Sequence, residues 1–219
     1  MIEHVYRRAQ AAASVDAVLV ATDDARIRSA VVAFGGNAQM TAADHRSGTD
    51  RLAEAARDLK CDLIVNVQAD EPLVAPSTID LAVQVLSSNP EVPVSTIRCP
   101  VTSATELSDP NVVKVVVDTD GYALYFSRNT IPYQWNSDRA TDGQLVYKHV
   151  GLYVYRRLFL LRLAELESTP LEQSEQLEQL RVLEYGYRIQ TALITQDSVG
   201  VDTPEDLERV RRILSSGIS

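Results

Sequence analysis

Apolar residues at Ile2, Val5, Tyr6, Ala9 and Ala12 recur at helical spacing and predict an amphipathic helix at the front of the chain. Ala17 to Ala21 is a short apolar run and predicts a buried parallel strand. Thr22-Asp23-Asp24 then supplies a cap for a helix that runs to about Phe34 and stops at Gly35-Gly36. A short strand near Ala38 to Thr41 comes next. The loop Ala43 to Gly48 leads to a helix from near Thr49, with Leu52, Ala53, Ala56 and Leu59 as its apolar stripe. Asp62 to Gln68 is another apolar strand, which ends in Ala69-Asp70-Glu71-Pro72 ahead of a helix from about Ser77. Strand and helix alternating in this rhythm predict βαβ units and a parallel sheet covered on both faces.

The pattern changes after the middle. Val112 to Asp118 and Tyr122 to Ser127 are strands joined by Asp118-Thr119-Asp120-Gly121, a hairpin signal. A third strand spans about Val146 to Arg156. A charged helix near Leu171 to Tyr185 stops at Gly186. Strand Arg188 to Thr195 and a last helix from Pro204 to about Leu214 complete the pattern. The expected architecture is an α/β sandwich forming a single domain over 1–219, with a hairpin-rich lobe inserted at about 111–156.

Composition narrows the partners. The 219 residues carry a formal net charge of −9, with 45% hydrophobic and 23% charged residues. Such a chain can bury a sizeable core, and its acidity argues against nucleic acid and anionic membranes as partners. An anionic substrate would need a local basic cluster or a metal. Cys61 and Cys99 form no CxxC pair and are expected to be buried thiols. No stretch reaches the ~18 apolar residues of a membrane span, and no apolar segment of the secretory type comes after Met1. The expected location is the cytoplasm.

Two aspartates stand where such a fold binds ligands. Asp70 lies just past a predicted parallel strand, and ligands of open α/β sheets bind at that edge. Asp202 also sits between a strand and a helix, in a sequence that could equally serve only as a helix cap: Thr203-Pro204-Glu205-Asp206 has the order of an N-cap, a first-turn proline and a capping acid. Magnesium is commonly held by one or two carboxylates plus substrate phosphates, which this pair could supply. His45 to Arg51 combines hydroxyls, Gly48 and two guanidinium groups. Lys148-His149 lies within a strand with Tyr153, and Arg128 ends another. His149 by itself also fits a satisfied, partly buried imidazole. The polar stretch Leu171 to Leu180 fits a solvated helix face or a subunit contact. No GxGxxG or GxxxxGK(S/T) phosphate loop occurs.

Six stretches in series carry a resemblance. HxSGT(D/E)RLAE appears as His45 to Glu54, and IVNVQGDEP as Ile64 to Pro72 with Ala69 in place of glycine. NxVKVVxDxxGYALYFSRxxIP runs from Asn111 to Pro132, KHxGxYxYR from Lys148 to Arg156, PLExxExLEQLRxLxxG from Pro170 to Gly186, and GVDTPEDLERVR from Gly200 to Arg211. In this order and spacing they resemble the 3-deoxy-manno-octulosonate cytidylyltransferases (CMP-Kdo synthetases).

The resemblance implies a three-layer, nucleotidyltransferase-like (Rossmann-like) fold with a mostly parallel sheet. It implies the reaction of CTP with Kdo to give CMP-Kdo and pyrophosphate for lipopolysaccharide assembly, with Mg2+ as cofactor and a homodimer as the assembly. Asp70 and Asp202 would be the catalytic metal ligands. Arg51, Gln68, His149, Tyr153, Glu178 and Gln179 would surround the sugar acid. Ser47, Gly48 and Arg51 would approach the nucleotide. The family begins with a strand and a loop of the type ARxxSxRLPxKPL, whereas Met1 to Tyr6 matches the family's segment just after that loop. The chain expressed from Met1 is therefore expected to be poorly soluble, weak in CTP binding and without turnover. Two other functions fit the same residues: a sibling cytidylyltransferase for another acidic sugar such as sialic acid, and an inactive remnant that binds a sugar acid or a partner subunit.

Overall fold

The computed structural model describes residues 1–45, 47–133, 146–195, 198–201 and 203–216. Helix α1 (Ile2–Gln10) turns Val5, Tyr6 and Ala9 inward, as the spacing predicts. Strand β1 (Val20–Thr22) is followed by α2 (Ala25–Ala33), whose N-cap Asp24 accepts a hydrogen bond from the Arg26 amide. Strand β2 (Ala38–Met40) pairs in parallel with β1, and the two form a sheet of their own. Helix α3 (Gly48–Ala56) begins at an N-cap, Ser47, which accepts from the Asp50 amide. Leu59 lies beyond the end of α3 and is exposed, so it does not belong to the expected apolar stripe.

The second sheet has six strands: β3 (Leu63–Asn66), β4 (Val94–Pro100), β5 (Lys114–Val117), β6 (Ala123–Ser127), β7 (Tyr147–Arg156) and β8 (Ile189–Leu193). Strands β3, β4, β5 and β8 run in one direction, and β6 and β7 run against them. The mostly parallel sheet expected from the family thus holds. The antiparallel ladders arise because β7 is wedged among strands of the opposite sense and β6 folds back on β5. The β5–β6 hairpin turns where expected, with Gly121 at φ 82° and the Asp118 side chain accepting from the Asp120 and Tyr122 amides. Among the described residues, β1 pairs only with β2 and β3 only with β7.

Side chains alternate across the sheet and build two cores. Ile64, Val94, Tyr153, Tyr155 and Ile189 face one side and pack on α3, α6 (Arg157–Leu163) and α8 (Gln179–Glu184). Ile97, Cys99, Val150, Leu152, Val154 and Ala192 face the other and pack on α1 and α4 (Pro76–Ser87). This is the expected three-layer arrangement. Ile79 and Leu86 of α4 have no exposed surface, and each such burial contributes about 1.5–3 kcal/mol. Two consecutive arginines at the junction of β7 and α6 tie both layers down. Arg156 donates to the Leu86, Asn89 and Val92 carbonyls near the end of α4. Arg157 donates to the Ala56 and Arg57 carbonyls at the end of α3. Helix ends leave such carbonyls without intrahelical partners.

Three expectations change. No element was expected over residues 94–100, yet β4 is the strand between β7 and β8. The helix expected over 171–185 is two short helices, α7 (Pro170–Glu175) and α8, because Gln176 takes a left-handed conformation at φ 54° and breaks the turn. Its polar residues are not all on a solvated face: Glu172, Gln179 and Arg181 are buried. Of the two cysteines, Cys99 is buried on β4, whereas Cys61 is exposed because it falls in the loop ahead of β3. The short helix α5 (Ala104–Ser108) and the closing helix α9 (Pro204–Ser215) complete the chain, α9 with the expected capping box of Thr203 and Asp206. Among the described residues no helix is long and apolar enough to cross a membrane.

Candidate active site

The site lies where two strands part along one edge of β7. Strand β3 pairs with the far half of β7 and ends at Asn66 opposite Tyr153. Strand β5 pairs with the near half and begins at Lys114 opposite Lys148. Between these ladders, among the described residues, the stretch from His149 to Leu152 has no strand on that edge. A cavity of about 740 Å3 opens there, at the carboxyl end of β3, and is lined in part by Gly48, Gln68, Asp70, His149, Tyr153, Glu178 and Gln179. These are residues that the resemblance assigns to one site, drawn from α3, the β3–α4 loop, β7 and the α7–α8 turn. Gly151 matters locally: a Cβ there would meet the Gln68 side chain at 3.5 Å, so the Gln68 stem lies over bare backbone.

Asp70 belongs to the loop after β3. Its carbonyl accepts from the Val201 amide at 2.9 Å, and Ser198 donates to the Glu71 carboxylate at 2.7 Å. The segment ahead of α9 is thereby held against Asp70 and Glu71. Asp202 lies outside the described residues, as does Arg46. Glu178 accepts a short hydrogen bond from the Thr49 hydroxyl, which ties the α7–α8 turn to α3. Arg128, at the end of β6, secures the same turn by donating to the Glu175 and Gln176 carbonyls.

Other expected residues stand apart from this cavity. Arg51 donates to the Thr41 hydroxyl and the Ala42 carbonyl and pairs with Asp23 at 3.0 Å, so it bridges α3 to the ends of β1 and β2. Ser47 caps α3 and lines a second cavity of about 470 Å3, together with Asp50, Glu172 and Arg181. Thr49, from the hydroxyl-bearing stretch His45 to Arg51, lines the larger cavity too, as do Asn66, Glu106 and Arg209, which sequence reasoning did not single out. The Arg209 signal was present: it comes three positions after Asp206 on one face of α9. Glu106 holds Lys148 at 2.6 Å, a long-range pairing that no spacing rule reveals.

Burial sets the protonation of the wall. Tyr153 and Tyr155 are pushed up by desolvation, with the Glu178 carboxylate adding to the effect, and both stay neutral phenols. His149 is half-buried at the cavity wall, with Phe126 edge-on at 5.2 Å and Tyr153 at 5.1 Å. Desolvation lowers its pKa from 6.5 to about 3. This makes the fold sensitive to acid. The unfolded chain takes up a proton at His149 below about pH 6.5, and the folded chain does not until about pH 3. Stability is full above pH 6.5 and falls as the pH drops toward 3, by about 1.4 kcal/mol per unit once the unfolded group is charged. Wild type is expected to lose about 2 kcal/mol more than His149→Gln between pH 7.5 and 5.0 in urea unfolding. Equal losses in the two proteins would show that His149 titrates normally.

A family profile described as cytidylyltransferase matches residues 1–189. The 3-deoxy-manno-octulosonate cytidylyltransferase of Geotalea uraniireducens (strain Rf4) is 52% identical over 217 residues, covering 96% of this chain and 86% of its own length. The protein of the same name from Geobacter sulfurreducens is 50% identical, covering 96% and 87%. Among solved structures, CMP:2-keto-3-deoxy-manno-octonic acid synthetase complexed with CTP superposes with a TM-score of 0.93 at 44% identity, covering 99% of this chain and 88% of that one.

Proposed function

The chain belongs to the 3-deoxy-manno-octulosonate cytidylyltransferase family, and from that premise we propose that it is the enzyme that joins CTP and Kdo to give CMP-Kdo and pyrophosphate, the activated sugar acid for lipopolysaccharide biosynthesis. One observation carries the reading beyond kinship: Gln68, Asp70, His149, Tyr153, Glu178 and Gln179, distant in sequence, line one cavity at the carboxyl end of β3.

In the proposed reaction the anomeric hydroxyl of Kdo attacks the α-phosphorus of CTP. A P–O bond to the sugar forms, the bond to the β-phosphate breaks, pyrophosphate leaves and the hydroxyl proton passes to solvent. Little covalent work falls to the protein, so holding the two substrates in line supplies most of the acceleration. Gln68 and Gln179 offer amide donors to the sugar acid, and the neutral Tyr153 phenol offers a hydroxyl. His149, uncharged, adds no positive charge to the wall. The exposed guanidinium of Arg209 stands at the rim for anionic groups.

The donor chemistry suits magnesium. Asp70 is a hard oxygen ligand at a ligand-binding strand edge, and substrate phosphates commonly complete such sites. Among the described residues no three acids, cysteines or histidines cluster as a metal cage. Asp70 and Asp202 would hold it, and it would supply positive charge to the α-phosphate and lower the pKa of the attacking hydroxyl. The reading also includes a homodimer, testable by light scattering, and a cytoplasmic location.

The direct test is pyrophosphate release with CTP and either Kdo or sialic acid. Kdo-dependent release is expected, and release with sialic acid alone would overturn the substrate. His149→Ala and Gln179→Ala are expected to raise the KM for Kdo by about tenfold, as for a lost hydrogen bond of about 1.4 kcal/mol, with little change for CTP. An effect confined to CTP would place both residues on the other ligand.

A further inference from the structure

Thr96 is fully buried on β4 at an irregularity in the ladder. Thr96 pairs with Tyr153, but the next residue, Ile97, pairs with Val150, so Gly151 and Leu152 of β7 bulge out of register. The Thr96 hydroxyl oxygen stands 2.7 Å from the Leu152 carbonyl oxygen, 3.4 Å from that of Val150 and 2.9 Å from His149 Nε2. The hydroxyl has one proton. Carbonyl oxygens only accept, and two oxygens 2.7 Å apart repel unless a proton lies between them. The Thr96 proton therefore points to Leu152, and its oxygen is left to accept from His149. Nε2 must then carry the imidazole hydrogen.

The consequence falls on the other ring nitrogen. Because the ring is neutral, Nδ1 keeps a free lone pair. Among the described residues Nδ1 has no hydrogen-bond partner, and His149 lines the cavity. We infer that Thr96 is a positioning residue for the sugar acid: it locks His149 as the Nε2–H tautomer, so that Nδ1 accepts a hydrogen bond from a sugar hydroxyl. A carboxylate has no proton to offer Nδ1, so the acid group of the sugar must lie against other donors. This assignment rests on the proposed placement of Kdo beside His149. The bulge gives the device its economy of parts, since one hydroxyl both satisfies an out-of-register carbonyl and selects a tautomer.

The test uses the chain labelled with 15N-histidine, as wild type, Thr96→Ser and Thr96→Val. Ring 15N–1H correlation at neutral pH is expected to show Nε2–H at His149 in wild type and Thr96→Ser. Thr96→Val leaves the buried Nε2–H without an acceptor and is expected to populate Nδ1–H. Kdo titration should perturb Nδ1 in wild type. The Kdo dissociation constant should rise by about tenfold in Thr96→Val, the effect of one lost hydrogen bond, and recover in Thr96→Ser. A wild-type Nδ1–H tautomer overturns the inference outright, and this needs no variant to fold. A tautomer that tracks Thr96 while Kdo neither perturbs Nδ1 nor changes affinity overturns the role in sugar recognition. That last result also removes the sugar from His149, whereas failure of the tautomer alone leaves the sugar's placement standing.

Discussion

Asp70→Asn is expected to cut turnover by at least about 10²-fold, the loss typical of removing one strong electrostatic stabiliser of a charged transition state. The substitution keeps the shape of the side chain and removes only its charge. The loop geometry should survive, because the contact that anchors it is made by the Asp70 backbone carbonyl to the Val201 amide. Negative charge builds on the departing pyrophosphate oxygen as its bond to the α-phosphorus breaks, and an amide would be a poorer ligand for the proposed magnesium that offsets it. The defect should appear in kcat at saturating CTP and Kdo, with the fold unchanged by circular dichroism. Near-normal turnover in magnesium would remove Asp70 from the metal site.

Arg181→Met is expected to cost about 3–5 kcal/mol, the usual consequence of leaving a buried charge unpaired. Glu172 and Arg181 are both buried. Burial alone would raise the Glu172 carboxyl, but hydrogen bonds from Arg181 and the Thr169 amide, with the Arg181 charge, hold it below its ordinary value. Arg181 in turn is raised by the same hydrogen bond. Arg181 also reaches the Leu163 and Leu166 carbonyls at 3.4 Å, so its loss frees the segment after α6 as well. A loss of that size is a large share of a typical net stability of about 5–15 kcal/mol. Adding Glu172→Gln should recover much of it, because glutamine still accepts from the Thr169 amide and carries no charge. Urea unfolding of wild type, both single variants and the double variant checks this. Additive losses would show that the two side chains do not act as a pair. The pair also joins α7 to α8, so the Kdo binding proposed for Gln179 should weaken with it.

The residues that line the cavity and the pairs that hold it in place differ in how far a linear reading can see them. Asp70 stands out because a strand pattern ends just before it. Gln179 and Glu178 stand out only through the family resemblance, since their helix by itself fits a solvated face. The break at Gln176 that brings them to the cavity carries no glycine or proline signal, and Arg128 from another strand secures it. Thr96 was invisible for a further reason. Its strand, with Val94, Thr96 and Ile97 between Pro93 and Pro100, has a β-branched signal that went unassigned among stronger neighbouring patterns. Even with β4 assigned, nothing along the chain tells that Thr96 meets His149, 53 positions away.

The linear sequence by itself determined the elements whose causes are local. The capped starts of α2, α3 and α9, the Asp118–Gly121 hairpin turn and the alternation of β3 with its flanking helices arise from contacts within a few residues. Six motif stretches in order then identified the family. The tertiary structure alone decided that β7 runs antiparallel between β4 on one edge and β3 and β5 on the other, and that the gap between those two strands opens the site. It also decided which face of β4 meets His149 and which arginines close the ends of α3 and α4. Strand order and register are set by burial against distant partners, and backbone hydrogen bonds are alike at every residue. Periodicity can therefore say that a segment is a strand, while only the packed whole says what lies beside it.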